Sequence, residues 1–275
     1  MKTKSSKMIL IAALIAALVC SAVRFFQIIS LTDYDTGFFL RGSEFGGALI
    51  YVLIGICSLI LILLAFIGRK AGDTAYLVSS GGMGDNATRW LGASEIIGAL
   101  LIGFRAVQSG DTATTIITAI IAIVFIVSGA VLLGRIVPPA FTGHIKLVAA
   151  LCLFFRAAVT FNSDLLVNRH AENLIVLFAY ILFSAFVASN ARFYARIETK
   201  NTRLAEVSLA LLTFLFSATH TISDLLATAF GGAGAAAFVS LNTEIAAAAV
   251  ISGTFLGVLF FTEKKKDIVP VVEPD

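Results

Sequence analysis

The sequence predicts an all-α integral membrane protein, in which residues 1–275 form a single polytopic domain with eight transmembrane helices. Two observations predict it. Hydrophobic residues make up 59% of the chain and charged residues only 13%, and the mean hydropathy is +0.97. Soluble domains carry about 25% charged residues, so we expect the apolar surface to face a lipid bilayer. In addition, 275 residues divided among eight apolar segments leave about 34 residues for each helix and its connection, which excludes a separate soluble domain.

Each expected span contains roughly the 20 mostly apolar residues that a helix needs to cross the hydrocarbon core. The spans are Met8–Ile29, Ala48–Ile67, Leu91–Val107, Ala113–Leu133, Ile145–Phe161, Leu174–Ser189, Leu204–Ala227 and Glu244–Phe261, followed by a cytoplasmic tail over 262–275. The first span also resembles a signal peptide, with a basic start and small residues near Cys20. Because its apolar stretch continues to Ile29, we favour a retained helix, and cleavage is the alternative.

The basic residues predict the orientation, since Lys and Arg are enriched in cytoplasmic connections. Placing both termini in the cytoplasm puts fifteen of the twenty Lys and Arg residues on that side. They are Lys2, Lys4, Lys7, Arg69, Lys70, Arg89, Arg135, Lys146, Arg192, Arg196, Lys200, Arg203 and Lys264–Lys266. The opposite side holds Arg41 and Arg169 together with most of the acidic connection residues. The compact size and short loops are typical of a bacterial cytoplasmic-membrane protein.

Polar residues inside the spans follow a four-fold pattern that suggests four quasi-repeated helical hairpins. Each odd-numbered span carries a polar pair near its outer end and is followed by an aspartate. The pairs are Arg24 and Gln27 before Asp33, Arg105 and Gln108 before Asp111, Arg156 and Thr160 before Asp164, and Ser217 and His220 before Asp224. Small residues lie on the same helix faces as these side chains, and small residues mark close helix packing in membranes. We therefore expect the odd spans to form an inner layer and the even spans an outer sleeve.

Two interpretations of the arginines remain open, because an arginine inside a membrane is costly unless it is paired or functional. In one, Arg24, Arg105 and Arg156 are structural and pair with the aspartates that follow them. In the other, they converge on an outward-facing cavity and bind an anion. The position of the guanidinium groups, in one cavity or in separate ion pairs, distinguishes the two interpretations.

Span seven carries a continuous polar stripe. Thr213, Ser217, His220 and Asp224 recur at intervals of four, three and four residues, so they share one helix face. His220 and Asp224 lie one turn apart and could relay a proton, and we expect Glu244, at the start of span eight, to face the same region. The stripe is typical either of a polar permeation path or of a hydrogen-bond network between helices.

Other function classes find little support in the sequence. The net charge of +3, without a basic cluster interleaved with aromatics, gives no nucleic-acid interface. Catalytic motifs such as HExxH and GxSxG do not occur, and a metal-dependent hydrolase would have to build its site from His170, Glu172, His220 and Asp224. No lysine lies deep in a late span, as a retinal Schiff base would require. We expect no catalytic residue, no metal and no cofactor.

The sequence thus favours transport or binding of a small anionic or zwitterionic solute, with the lipid bilayer and that solute as the only expected partners. The candidate ligand-binding residues are Arg24, Gln27, Arg105, Gln108, Arg156, Thr213, Ser217, His220, Asp224 and Glu244. The alternative is a non-transporting membrane subunit or scaffold, whose polar residues only hold helices together.

Overall fold

The computed structural model describes residues 3–34, 39–40, 42, 44–70, 85–108, 110–134, 139–164, 170–195, 197, 200–239 and 241–261. These residues form α1 (Thr3–Leu31), α2 (Glu44–Lys70), α3 (Asp85–Gln108), α4 (Thr112–Gly134), α5 (Pro139–Asp164), α6 (His170–Tyr194), α7 (Lys200–Phe230), the short α8 (Gly232–Phe238) and α9 (Thr243–Phe261). Within the described ranges there is no strand, only an isolated bridge between Thr32 and Phe39. The expected tail over 262–275 lies outside the described residues.

Eight of these helices, all except α8, are long and apolar enough to cross a membrane, so the chain is an all-α, multi-pass membrane protein. Each of the eight predicted spans lies within one of them. The helices are longer than the predicted spans because they continue into polar residues beyond the hydrocarbon core. For example, α2 continues to Arg69 and Lys70, and α7 begins at Lys200.

Six helices pack into a closed ring. Their order around the ring is α3, α4, α5, α6, α7 and α9, and α9 packs back against α3. The helix α1 packs on α7 and α9, and α2 packs on α1 and α7. The start of α1 and the end of α9 lie together, because the Lys7 ammonium is 5.6 Å from the centre of the Phe261 ring. We call this end of the bundle the terminal end, and the opposite end, where α3 ends and α4 begins, the α3–α4 end.

The expected division into inner odd and outer even spans holds for α2 but fails elsewhere, because α1 lies outside the ring whereas α4, α6 and α9 belong to it. In α9, the eighth span, 56% of the most apolar window is buried, the same share as in α7, whereas the share is 33% in α1. The reason lies in the small side chains of α9, which include Ala246–Ala249, Ser252 and Gly253. Small residues let helix backbones approach closely in a membrane, so α9 can contact α3, α7, α1 and α6.

The tightest crossing joins α3 and α4 through a pair of glycines. A Cβ added to Gly92 would lie 2.7 Å from the Gly129 carbonyl oxygen, and a Cβ added to Gly129 would lie equally close to the Gly92 carbonyl oxygen. Side chains at either position would therefore force the helices apart. The same two helices supply the connection that positions the site described below.

Buried phenylalanines of α4, α6 and α9 pack against one another. Phe125 of α4 stacks on Phe183 of α6 with ring centres 5.8 Å apart, and Phe186 and Phe193 of α6 meet Phe255 of α9 edge-on at 5.2 and 6.3 Å. All five are at most 2% exposed. We call this group the aromatic layer.

Candidate functional site

A cavity of about 340 Å³ lies at the α3–α4 end of the ring. It is bounded by α3, α4, α5, α6 and the residues just before α9. Its polar lining residues are Arg105, Gln108, Asp111, Thr114, Arg156, Thr160, Tyr180 and Asn242. Ligand pockets typically measure about 300–1,000 Å³, so this cavity suits a small molecule.

The short connection between α3 and α4 positions one side of the cavity. Arg105 and Gln108 lie three residues apart at the end of α3 and so share a face. Asp111 then caps α4, because its Oδ2 accepts the Thr114 N–H at 2.8 Å and its backbone oxygen accepts the Thr115 N–H at 2.9 Å. Hydrogen bonds from Thr114, its backbone N–H foremost, and the nearby charge of Arg156 hold the pKa of the Asp111 carboxyl below its ordinary value of 3.8. Asp111 is therefore negatively charged at physiological pH.

Arg156, on the other side of the cavity, is already paired. Its Nε lies 3.1 Å from Oε2 and 3.4 Å from Oε1 of Glu244, and its Nη1 donates to the Thr160 hydroxyl at 2.9 Å. Glu244 also accepts hydrogen bonds from the hydroxyls of Thr118, at 2.5 Å, and Tyr180. The carboxylate therefore receives donors from α4, α5 and α6, and it compensates the charge of Arg156.

Arg105 differs from Arg156 in having no such partner. Its side chain is half-buried and its Nε is shielded from solvent, yet within the described part of the chain it forms neither a hydrogen bond nor an ion pair. In particular, it does not pair with Asp111, which was the structural alternative for this arginine. An uncompensated guanidinium inside a membrane-spanning helix is costly, and here it faces a polar cavity.

The remaining predicted residues of α1 lie elsewhere. Arg24 is 1% exposed and close enough to His220 of α7 to interact with it electrostatically. One turn earlier, the Ser21 hydroxyl lies 3.5 Å from the Ala218 carbonyl oxygen, which shows that α1 packs against α7 at this level. The Gln27 side chain donates to the carbonyl oxygen of Gly46 at 2.5 Å, at the start of α2.

The stripe of span seven is buried on one face of α7, as its spacing predicts. Thr213, Ser217, His220 and Asp224 are each at most 5% exposed. The Ser217 hydroxyl donates to the Thr213 carbonyl oxygen, and Nε2 of His220 lies 3.3 Å from Oδ2 of Asp224. None of the four lines the cavity. We call these residues, with Arg24, the α1–α7 group.

The structure thus brings four of the ten candidate residues together at the cavity and places the other six elsewhere. Arg105, Gln108 and Arg156 line the cavity, and Glu244 lies directly behind it, bound to Arg156 rather than facing the stripe. The side chain of Asp164, the expected partner of Arg156, lies outside the described residues. Tyr180 and Thr118, whose hydroxyls donate to Glu244, were not among the candidates, because single hydroxyls in apolar helices carry no distinctive sequence signal.

A second buried charge cluster, at the terminal end of the ring, was not predicted. Glu95 of α3 pairs with Lys146 of α5, and Arg203 pairs with Glu206 within α7, where Glu206 also accepts the Asn190 side chain at 3.0 Å. All five are at most 5% exposed. Lys146 and Arg203 were expected as membrane-flanking charges, but they lie inside the spans because acidic partners compensate them. The sequence signal that could have indicated this cluster was Glu95 in span three and Glu206 in span seven, each an acidic residue within a mostly apolar segment.

Two aromatic rings contact the cations of this cluster. The Lys146 ammonium lies 4.8 Å from the centre of the Tyr194 ring, and the Arg203 guanidinium lies 4.2 Å from that of Phe193. Every charge in this terminal-end cluster has an opposite charge beside it, in contrast to Arg105.

The described residues contain no group of three or more His, Cys, Asp or Glu side chains that could hold a metal ion. The side chains of His170 and Glu172, which a hydrolase site would need, lie outside the described residues. Neither a protein-family model, nor a curated protein, nor a solved structure matches this chain.

Proposed function

We propose that the chain binds a small anionic or zwitterionic solute in the cavity at the α3–α4 end and carries it across the membrane, without acting as an enzyme. The observation that supports this proposal best is Arg105, a guanidinium that lines a polar cavity and has no partner among the described residues. Guanidinium groups bind carboxylates and similar oxyanions through two parallel hydrogen bonds. A bound anion would supply the charge compensation that the described residues do not.

In this proposal the solute crosses the membrane through the interior of the helix ring. Glu95 and Arg105 lie ten residues apart on α3, as do Lys146 and Arg156 on α5, which corresponds to about 15 Å along each helix. The Glu95–Lys146 ion pair therefore lies between the cavity and the terminal end of the ring. In this proposal the structure is one state of a carrier, with the site accessible from one end, and transport requires the opposite end to open in turn.

The proposed orientation places the cavity outside the cell and both termini in the cytoplasm, in a bacterial cytoplasmic membrane. Thirteen of the fifteen basic residues that support this orientation remain after Lys146 and Arg203 are removed from the count as buried ion-pair members. The positive-inside rule still favours the same direction.

A non-transporting scaffold is the second candidate, and the terminal-end cluster favours it. That cluster joins α3, α5, α6 and α7 through contacts whose charges compensate each other, as a purely structural network requires. The scaffold hypothesis gives Arg105 no function.

Uptake assays on Arg105 variants distinguish the two candidates. The purified protein is reconstituted in liposomes and assayed for uptake of a panel of short monocarboxylates and ω-amino acids. We expect Arg105→Gln to abolish uptake and Arg105→Lys, which keeps the charge but loses the planar fork, to retain part of it. The control is Arg192→Gln, which removes an exposed arginine in the last turn of α6. Equal activity of the wild type, Arg105→Gln and Arg192→Gln would refute a role for the cavity, and absence of any uptake or binding would favour the scaffold.

A further inference from the structure

We propose that Cys20 and Cys57 bind a soft divalent metal ion of the mercury(II) type as a pair of thiolates, where α1, α2 and α7 meet. This inference is independent of the cavity and of its solute. The two cysteines belong to different helices, yet their sulfur atoms lie 3.9 Å apart. Both carry free thiols; Cys20 is fully buried and Cys57 is half-buried.

The distance between the two sulfur atoms suits a shared metal ion. A metal–thiolate bond measures about 2.3 Å, so two thiolates on one ion lie about 3.8 Å apart at a tetrahedral angle and about 4.6 Å apart in a linear arrangement. The observed separation of 3.9 Å lies within this range. A disulfide bond requires about 2.05 Å, so the sulfur atoms would have to approach each other by roughly 1.9 Å. The geometry therefore favours a bridging ion over a disulfide bond.

Thr219 of α7 is a third polar group beside the pair. It is fully buried, and its side chain lies close enough to the Cys20 thiol to interact with it. Within the described part of the chain its hydroxyl forms no hydrogen bond, whereas those of Ser223 and Thr228 on the same helix donate to backbone carbonyl oxygens. The Thr219 hydroxyl can therefore donate its proton to a metal-bound thiolate, and such hydrogen bonds to ligands tune metal sites.

The number and kind of the ligands indicate the ion. Thiolates are soft ligands, which soft metal ions prefer, and Hg²⁺ is stable with two of them. Zn²⁺, in contrast, almost always takes four ligands, and the described residues contain no larger group of His, Cys, Asp or Glu side chains that could supply them. Two thiolates and one divalent ion form a neutral complex. Neutrality suits a site between membrane-spanning helices, where an uncompensated charge is costly.

Binding exchanges two protons for one metal ion, without a redox change. Each thiol releases its proton to water as its sulfur binds the ion, and an ion that arrives as neutral mercury(II) chloride releases its two chlorides at the same time. The neutral dichloride can enter the hydrocarbon core. It can reach Cys57 from there, because α2 packs outside the ring and only 22% of its most apolar window is buried.

The test uses Hg²⁺ and the purified full-length chain, with the third cysteine, Cys152 of α5, replaced by alanine. Excess N-acetylcysteine removes ions that a single thiol holds. We expect intact-mass measurement to show the chain with one mercury atom in place of two hydrogens and without an attached N-acetylcysteine. Cys57→Ser in this background should lose the ion, because the second thiolate is no longer held beside the first. Thr219→Val should bind one ion about ten-fold more weakly.

Two controls accompany the variants. The chain Cys20→Ala/Cys57→Ala, which keeps Cys152 as its single thiol, should lose Hg²⁺ as Cys57→Ser does. Zn²⁺ should not bind to the pair under the same conditions. Melting temperatures without metal show whether each variant has kept its fold.

Three results would overturn the proposal. They are failure of the Cys20–Cys57 pair to retain Hg²⁺, retention of the ion by a chain with a single thiol, and an adduct that still carries N-acetylcysteine. The first of these needs no variant of the pair, so it does not depend on how Cys57→Ser folds. Equal affinity of Thr219→Val would overturn the role assigned to Thr219. None of these outcomes bears on uptake through the cavity, which is tested separately.

Discussion

The guanidinium of Arg156 and the carboxylate of Glu244 meet across the helix ring, with Nε 3.1 Å from Oε2, although α5 and α9 are not neighbours in that ring. Tyr180 of α6 and Thr118 of α4 donate to the same carboxylate. A single acidic side chain thus links α9 to three other helices immediately behind the cavity.

This geometry predicts that two arginine variants differ in their free energy of unfolding. Arg156→Gln should lower the free energy of unfolding by about 3–5 kcal/mol, because it leaves the buried Glu244 carboxylate without its cation. Arg105→Gln should change the free energy of unfolding little or not at all, because Arg105 forms no ion pair or hydrogen bond within the described part of the chain. Unfolding in mixed detergent–SDS micelles measures both. Equal destabilisation by the two variants would mean that Arg105, too, is a structural residue.

The double variant Arg156→Gln/Glu244→Gln provides the control for that experiment. Removing both charges leaves no isolated buried ion, so the double variant should be more stable than the sum of the single effects predicts. Additive losses would show that the pair is not coupled.

The terminal-end cluster predicts a rescue by charge reversal. Lys146→Glu alone places two carboxylates together at Glu95 and should destabilise the protein strongly. The double variant Lys146→Glu/Glu95→Lys restores opposite charges on α3 and α5, so its unfolding free energy should recover much of that loss. A double variant as unstable as Lys146→Glu would show that the original side chains are held by packing, such as that of Lys146 on Tyr194, rather than by the ion pair.

The fold could be predicted from the sequence because span length and apolarity are local properties. All eight spans lie within observed helices, and the buried stripe of α7 follows directly from its 3.6-residue periodicity. The depth of the polar residues is local as well, which is why Arg24, Arg105 and Arg156 could all be placed near one end of their helices.

The composition of the site could not be predicted, because it depends on which helices are neighbours. Arg24 and Arg105 have nearly the same sequence context, but α1 packs on α7 whereas α3 forms part of the ring that bounds the cavity. Arg156 pairs with Glu244, 88 residues away in sequence, a partner that no local pattern around Arg156 indicates. Hydrophobic periodicity identifies the buried face of a helix but does not identify the helix that covers it.

The helix cap formed by Asp111 is expected to contribute to the stability of the fold in a pH-dependent way. Its pKa in the folded protein lies below the ordinary value of 3.8, so its cap stabilises the fold above that value and is lost as the pH falls through the folded-state pKa. We therefore expect the difference in melting temperature between the wild type and Asp111→Ala to be constant above about pH 5 and to shrink in stronger acid. Asn does not titrate, so the difference between Asp111→Asn and Asp111→Ala should not change with pH. A constant difference for the wild type as well would show that the cap does not depend on the carboxylate charge.

The proposed orientation predicts which sites an impermeant thiol reagent can reach. In a variant whose three native cysteines are replaced by alanine, a cysteine at the exposed position Ala113, at the start of α4, should react from outside intact cells. A cysteine at the exposed position Arg192, at the terminal end, should react only after the membrane is opened. The reverse pattern would place the cavity in the cytoplasm and make the protein an exporter or an intracellular binder of its solute.

His220 provides the last prediction, on proton coupling. The imidazole is 5% exposed, is absent from the cavity lining, and lies between Asp224 on its own helix and the positive charge of Arg24 on α1. His220 is thus separate from the residues that line the cavity. We therefore expect His220→Gln to leave the pH profile of uptake unchanged and, because glutamine can still hydrogen-bond to Asp224, to leave the fold intact. The comparison uses uptake between pH 5 and 8, the range in which an unperturbed histidine titrates. A flattened profile in His220→Gln would instead show that the α1–α7 group carries a proton during transport, and the coupling path would then run through α7 rather than through the cavity.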